Sequence, residues 1–259
     1  MSNLINYQWR ITKYNPAFRD EDGYYTLQKE WTCPSEIGKV IDGKEFTLVE
    51  YLGVETAYVN TVMTFLSEYG LSSLRILQLT KMDVSKEDKV SILYETEFDE
   101  MDLQEDKELN ENEIRIICKM ILRNFVSCQL YSKGAFFVDF GWDYYMYIGS
   151  STKCPSSIKF ANESGLFVEE TKSPYYFSEE ETTRTVQWNE QKDEHKLVVG
   201  EEEITDIHID EFRKIFNLSK DHPVIGSFEI TNKQAVFIQK FLNHKIDFSK
   251  YEYGFWGGN

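Results

Sequence analysis

Between Ala135 and Gly149 the chain carries ten large apolar or aromatic side chains in fifteen positions, and this stretch limits the fold more than any other. Successive side chains of a β-strand point to opposite faces. A hairpin made from Phe136, Phe137, Val138, Asp139 and Phe140 followed by Tyr144, Tyr145, Met146, Tyr147 and Ile148 is therefore apolar on both sides and needs a cover on each. We read Gly141-Trp142 as its two-residue turn. That register puts Phe136, Val138, Tyr145 and Tyr147 on one face, and Phe137, Tyr144 and Met146 with Asp139 on the other.

The covering elements are read from periodicity. Thr47-Leu48-Val49-Glu50 forms a capping box, and Val54, Tyr58, Val62, Phe65, Leu66 and Tyr69 recur at helical spacing until Gly70, which predicts a helix over about 48–69. Ile114, Ile117, Cys118, Ile121, Leu122 and Phe125, capped by Asn110 and Glu113, predict a second helix over about 111–130. Strands are expected at Tyr7–Tyr14, Tyr24–Trp31 (a hairpin through Arg19–Gly23), Leu74–Leu79, Gly165–Glu169, Thr183–Trp188 and Leu197–Val199. The end of the chain reads as helix, strand, helix: Ile209–Phe216, Val224–Ile230, and a helix capped by Thr231 and Gln234 that runs to about Asn243. The fold class is thus α+β, mainly antiparallel sheet with two long helices. The acidic stretch 99–113 suggests a division into an N-terminal α+β region, 1–98, and an acidic, aromatic-rich α+β region, 99–259; one compact domain is the alternative.

Charge narrows the choice of partner. The formal net charge is −16, of which residues 1–82 contribute −2 and residues 83–259 contribute −14. Such a field repels phosphate backbones and anionic membranes, so neither nucleic acid nor membrane is an expected partner, whereas a basic protein surface is attracted. The opening residues have no basic segment leading into an apolar run, and no stretch is long enough to span a bilayer, which points to a cytoplasmic protein. Cys33, Cys118, Cys128 and Cys154 lack metal-ligand spacing and read as reduced thiols; Cys118 and Cys128 fall on one predicted helix, too far apart to bridge.

No familiar catalytic, metal or nucleotide motif is present, and no cofactor is expected. Asp139 and Asp143 invite comparison with paired carboxylates, yet the assumed turn places them on opposite faces of the hairpin. Asp206, His208 and Asp210 would share one face of a strand, but a helix start is the simpler reading. The triplets Glu179-Glu180-Glu181 and Glu201-Glu202-Glu203 read either as solvated loops and strand ends or as a docking surface for a cationic partner. Trp142 is a candidate anchor, as are Tyr253 and Trp256 in the aromatic end of the chain, which either folds back onto its own sheet or meets another molecule.

The YYMYIG strand followed by GLFVEETKSPY resembles uncharacterised bacterial proteins, some of the kind found beside toxin genes. The resemblance covers about residues 134–176 and identifies no functional residue. The expected function is an acidic protein-binding module, such as an immunity protein or antitoxin that occludes a basic toxin domain. Two alternatives stand beside it: a hydrolase or nucleotide-processing enzyme built from dispersed residues such as Asp139, Asp143 and His208, and a structural or assembly protein.

Overall fold

The computed structural model describes residues 5–21, 25–26, 30–82, 91–176, 179, 181–192, 195–205 and 207–258. The chain divides into two compact units, Met1–Tyr175 and Tyr176–Asn259. Helices and antiparallel sheets mix as an α+β fold requires.

In chain order the first unit contains β1 (Tyr7–Thr12), the short hairpin β2 (Val40–Ile41) and β3 (Lys44–Glu45), α1 (Leu48–Tyr69), β4 (Ser73–Lys81), β5 (Glu108–Asn110), α2 (Glu111–Leu122), β6 (Val126–Ser132), β7 (Phe136–Phe140), β8 (Met146–Ser150), α3 (Pro155–Glu163) and β9 (Phe167–Glu170). Seven strands form one antiparallel sheet in the order β5-β4-β6-β7-β8-β1-β9. The division does not fall at 98/99, because β4 pairs with both β5 and β6 across that point. Arg75 on β4 fastens the acidic stretch, reaching Asp106 and Glu108, and Glu105 accepts from the backbone N–H of Gln78 and Leu79 at a bulge in the strand. β1 lies between β8 and β9, so it makes no hairpin with 24–31; Tyr24 and residues 27–29 of that expected strand lie outside the described residues.

One face of the sheet meets the helices. Trp9, Ile11, Leu74, Ile76, Leu130, Val138 and Ile148 pack there with Tyr58, Val62 and Phe65 of α1 and Ile114 and Ile117 of α2, all buried. At roughly 1.5–3 kcal/mol for each large side chain taken from water, this cluster supplies most of what holds the unit together. Thr47 caps α1, and Gly70, at φ +86°, ends it in the left-handed conformation that glycine enters without strain. The second helix stops at Leu122, short of the expected 130. Asn124 takes φ +61°, its N–H and that of Phe125 turn back to the Ile121 and Met120 carbonyls, and Cys128 consequently lies on β6 instead of a helix.

The opposite face also holds buried rings. Phe137 is fully buried over Gly149, its partner on β8, and a Cβ on that glycine would overlap the Phe137 ring. A Gly149→Ala protein is expected to lose about 1–3 kcal/mol, because a fully buried ring has nowhere to retreat; the urea midpoint checks this. The segment after β9 crosses this face: Ser173 N–H donates to Gln8 Oε1, and the Tyr175 ring packs against Tyr147.

The second unit contains β10 (Thr183–Lys192), β11 (His195–Glu203), α4 (Ile209–Phe216), β12 (Gly226–Ile230), α5 (Asn232–Ile238) and β13 (Glu252–Gly258). Its sheet runs β11-β10-β13-β12 over a core of Val186, Phe212, Val224, Ile230, Ile238 and Phe255. The aromatic end of the chain is thus an inner strand, paired on both sides. The last expected helix is shorter, breaking into one 3-10 turn at Gln239–Phe241.

Candidate functional site

The hairpin between β7 and β8 does not turn at Gly141-Trp142. Phe140 pairs with Met146, three residues beyond the Asp143 that the assumed turn would give it. An odd slip exchanges faces, so Phe136, Val138, Met146 and Ile148 point to the helices and Phe137, Asp139 and Tyr147 to the other side. The turn is made by Asp143 and Tyr144, at φ +54° and +62°, closed by Tyr145 N–H donating to the Trp142 carbonyl at 3.1 Å. Two successive positive φ values suit a hairpin's twist but strain non-glycine residues, Tyr144 above all.

Packing holds the strained turn in place. Tyr58 Oη donates to the Tyr144 carbonyl at 2.6 Å, Tyr144 Oη donates to the Leu122 carbonyl at 3.1 Å, and the Trp31 ring meets the Tyr144 ring edge-on at 4.9 Å. Trp142, just before it, is left with no such cover and is 85% exposed. An indole held out in water by a pinned, strained turn is a feature that binding surfaces use.

Beneath the turn, where β6 begins and β7 ends, lies a half-open hollow of about 590 Å³. Gln129, Asp139, Asp143, Trp142, Tyr144 and Tyr175 are among its lining. Gln78 and Asn124 line it too, so four of the chain's non-glycine residues with positive φ gather around this one space. The shifted register thus brings Asp139 and Asp143 to a common hollow, contrary to the opposite-face expectation. Gln129 sits directly across the ladder from Asp139; it donates to the Tyr175 carbonyl at 2.8 Å and hydrogen-bonds the Asp139 carboxylate. Desolvation pushes Asp139 up to about 6, against the pull of Gln129. Burial raises the Cys128 thiol well above its ordinary value, so it is a poor nucleophile.

The residues singled out in the second unit are differently placed. Glu179 accepts from Arg213 at 2.7 Å. Glu180 lies outside the described residues, and Glu181 is exposed. Strand alternation along β11 exposes Glu201 and Glu203, while Glu202 turns to the other side and accepts from the backbone N–H groups of Asn243 and His244. The 201–203 triplet therefore does not present three carboxylates on one side. Tyr253 is buried, with its hydroxyl accepting from Asp247 N–H at 2.9 Å and in contact with His244 Nε2, which removes it as a surface anchor. Trp256 is half-buried on the sheet, its ring over Gly258. His208 caps α4 through Nδ1, while Asp206 lies outside the described residues. Among the described residues no three His, Cys, Asp or Glu side chains converge as metal ligands, and no helix is long and apolar enough to cross a membrane.

Residues 183–256 match a family described as a domain of unknown function (DUF7683). The match begins at the first residue of β10 and ends within β13, so it spans nearly all of the second unit and none of the hollow. Comparison with curated proteins and with solved structures gave no match.

Proposed function

We propose that the chain is a binding module for a basic protein, acting as an immunity protein or antitoxin acts when it occludes a basic toxin domain. The observation that carries this reading is the Trp142 indole, held exposed at the rim of a hollow walled by Asp139 and Asp143. Aromatic anchors of this kind supply the centre of an interface, and surrounding carboxylates speed encounter with a cationic surface. The charge is shared between the units, −10 over residues 1–175 and −6 over 176–259, so both would steer a positive partner. We place the protein in the cytoplasm, a reading supported by four free cysteines.

Affinity purification from the native host with elution in rising salt tests the proposal. The expected result is one basic protein retained at physiological ionic strength and lost, by about tenfold or more in affinity, from a Trp142→Ala protein. Retention of no partner, or of one indifferent to Trp142, would overturn it.

A second reading has one observation of its own. Asp139, titrating near 6 and sharing a hollow with Asp143, has the poise of a general acid or base, as a hydrolase would need. Turnover of a screened substrate that vanishes in Asp139→Asn would support it.

A further inference from the structure

We propose that the hollow of the first unit is a receptor for a single guanidinium group, with Asp139 as its counter-ion and Trp142 as the ring on which it stacks. The inference rests on the reading of the chain as a module for a basic partner, and it names the chemical group of that partner which the site would take.

Charge points to a cation. Asp139 and Asp143 are the charged residues of the lining, and no Lys, Arg or His lines the hollow among the described residues. A carboxylate has room for about four hydrogen bonds. Among the described residues the contact supplied to Asp139 is a neutral one, from Gln129, whose amide also serves the Tyr175 carbonyl. A desolvated carboxylate that no cation among the described residues meets is an incomplete ion pair.

Shape selects among cations. About 590 Å³ admits an arginine side chain with space for water, and Phe140, Trp142, Tyr144 and Tyr175 provide aromatic surface around the two carboxylates. A guanidinium is planar, bonds a carboxylate through two parallel N–H groups, and stacks on an indole while doing so. A lysine ammonium is a compact, strongly hydrated charge and gains less from either feature.

Occupancy should follow the charge of Asp139. The groups around it are Gln129 and Cys128 on β6, Tyr147 on β8, Asp143 in the turn, Tyr175 after β9, and Glu105, which acts on Cys128. Burial lifts both Cys128 and Tyr175 above their ordinary values, so neither changes charge between pH 5 and 7.5.

The test follows the Trp142 indole N–H resonance of the full chain during titration with N-acetyl-arginine amide, its lysine counterpart and uncharged N-acetyl-citrulline amide. A saturable shift with arginine is expected, with lysine weaker by about threefold or more and citrulline weaker by about tenfold or more. Binding should fall about tenfold between pH 7.5 and pH 5, and that dependence should disappear in Asp139→Asn and persist in Asp143→Asn. Thermal melting establishes that each variant is folded, and Trp142→Phe, read by calorimetry, supplies a variant that keeps an aromatic ring. Equal binding of citrulline, or undiminished arginine binding by Asp139→Asn, would overturn the proposal, as would no shift with any probe. The two readings fail separately. Arginine binding without a retained basic partner would sink the functional proposal alone, whereas a retained partner without arginine binding would sink this one.

Discussion

An Arg123→Met protein should lose about 3–5 kcal/mol of stability at neutral pH, more than the crowding of Phe137 by Gly149→Ala removes. Arg123 ends α2 with a guanidinium that is 2% exposed and forks onto Glu55 of α1 at 2.6 and 2.7 Å. The same group reaches Glu95 at 2.7 Å and the Leu93 carbonyl at 2.6 Å, so it ties two helices to the segment that precedes β5. Methionine fills the space but leaves the Glu55 carboxylate, 3% exposed, with no cation. Glu55 would then need to be neutral to stay buried. The penalty is that of a buried, uncompensated carboxylate, so it is largest at neutral pH and shrinks in acid, where carboxyl groups are protonated. The urea midpoint at pH 7.5 and 4.5 checks both magnitude and sign. A Glu55→Met/Arg123→Met double variant should recover most of the loss, because a buried ion pair replaced by apolar groups of similar volume is close to neutral. Glu95 can do without Arg123, being one-third exposed and paired with Lys119 at 2.9 Å. An equal loss in the double and single variants would show that the uncompensated Glu55 charge is not what destabilises the protein.

What the sequence made legible follows from how local each signal is. α1 begins at a cap and ends at a glycine within its own residues, so its bounds could be read directly. α4 and the capping box of α5 were equally local. α3 could not be seen in this way, because its N-terminus is capped from another helix: Glu68 of α1 accepts from the N–H groups of Ser156 and Ser157. The end of α2 did carry a signal, Asn124, a residue that tolerates positive φ. It was outweighed by Phe125 and Val126, which continue an apolar pattern while belonging to the turn and to β6. The hollow was illegible for one reason. Gly141 is the residue that turn preference selects, yet the turn falls on Asp143-Tyr144, where Tyr58, Leu122 and Trp31 hold a conformation that tyrosine seldom adopts. Tertiary packing overrode a local preference, and the three-residue slip that followed put Asp139 opposite Tyr147 and left Asp143 in a turn at the same hollow. Trp142 could be singled out as a candidate anchor from the sequence; its exposure and its surroundings could not be read there.

Asp139→Asn should have the opposite effect to Arg123→Met and make the protein more stable, by about 2–3 kcal/mol at pH 7.5. Desolvation raises the folded pKa of Asp139 to about 6 from an ordinary value of 3.8. Between those values the folded state holds a proton that the unfolded state has released, so stability declines as pH rises from about 4 to about 6, and the penalty is complete above that. Asparagine carries no charge to desolvate, and its side-chain oxygen can still accept from the Gln129 amide. The gain should therefore be largest at neutral pH, narrow on acidification, and close below about pH 4, where aspartate is neutral in both states. Chemical denaturation of the two proteins from pH 4 to 8 measures the convergence; parallel curves would show that Asp139 is not desolvated as described. The contrast with Glu55 gives the result its meaning. Among the described residues Glu55 meets a forked guanidinium, whereas Asp139, in the wall of a half-open hollow, meets the Gln129 amide. A residue whose charge weakens the fold, and which no cation among the described residues meets, has the energetics of a binding group, with stability given up for the cation that completes it.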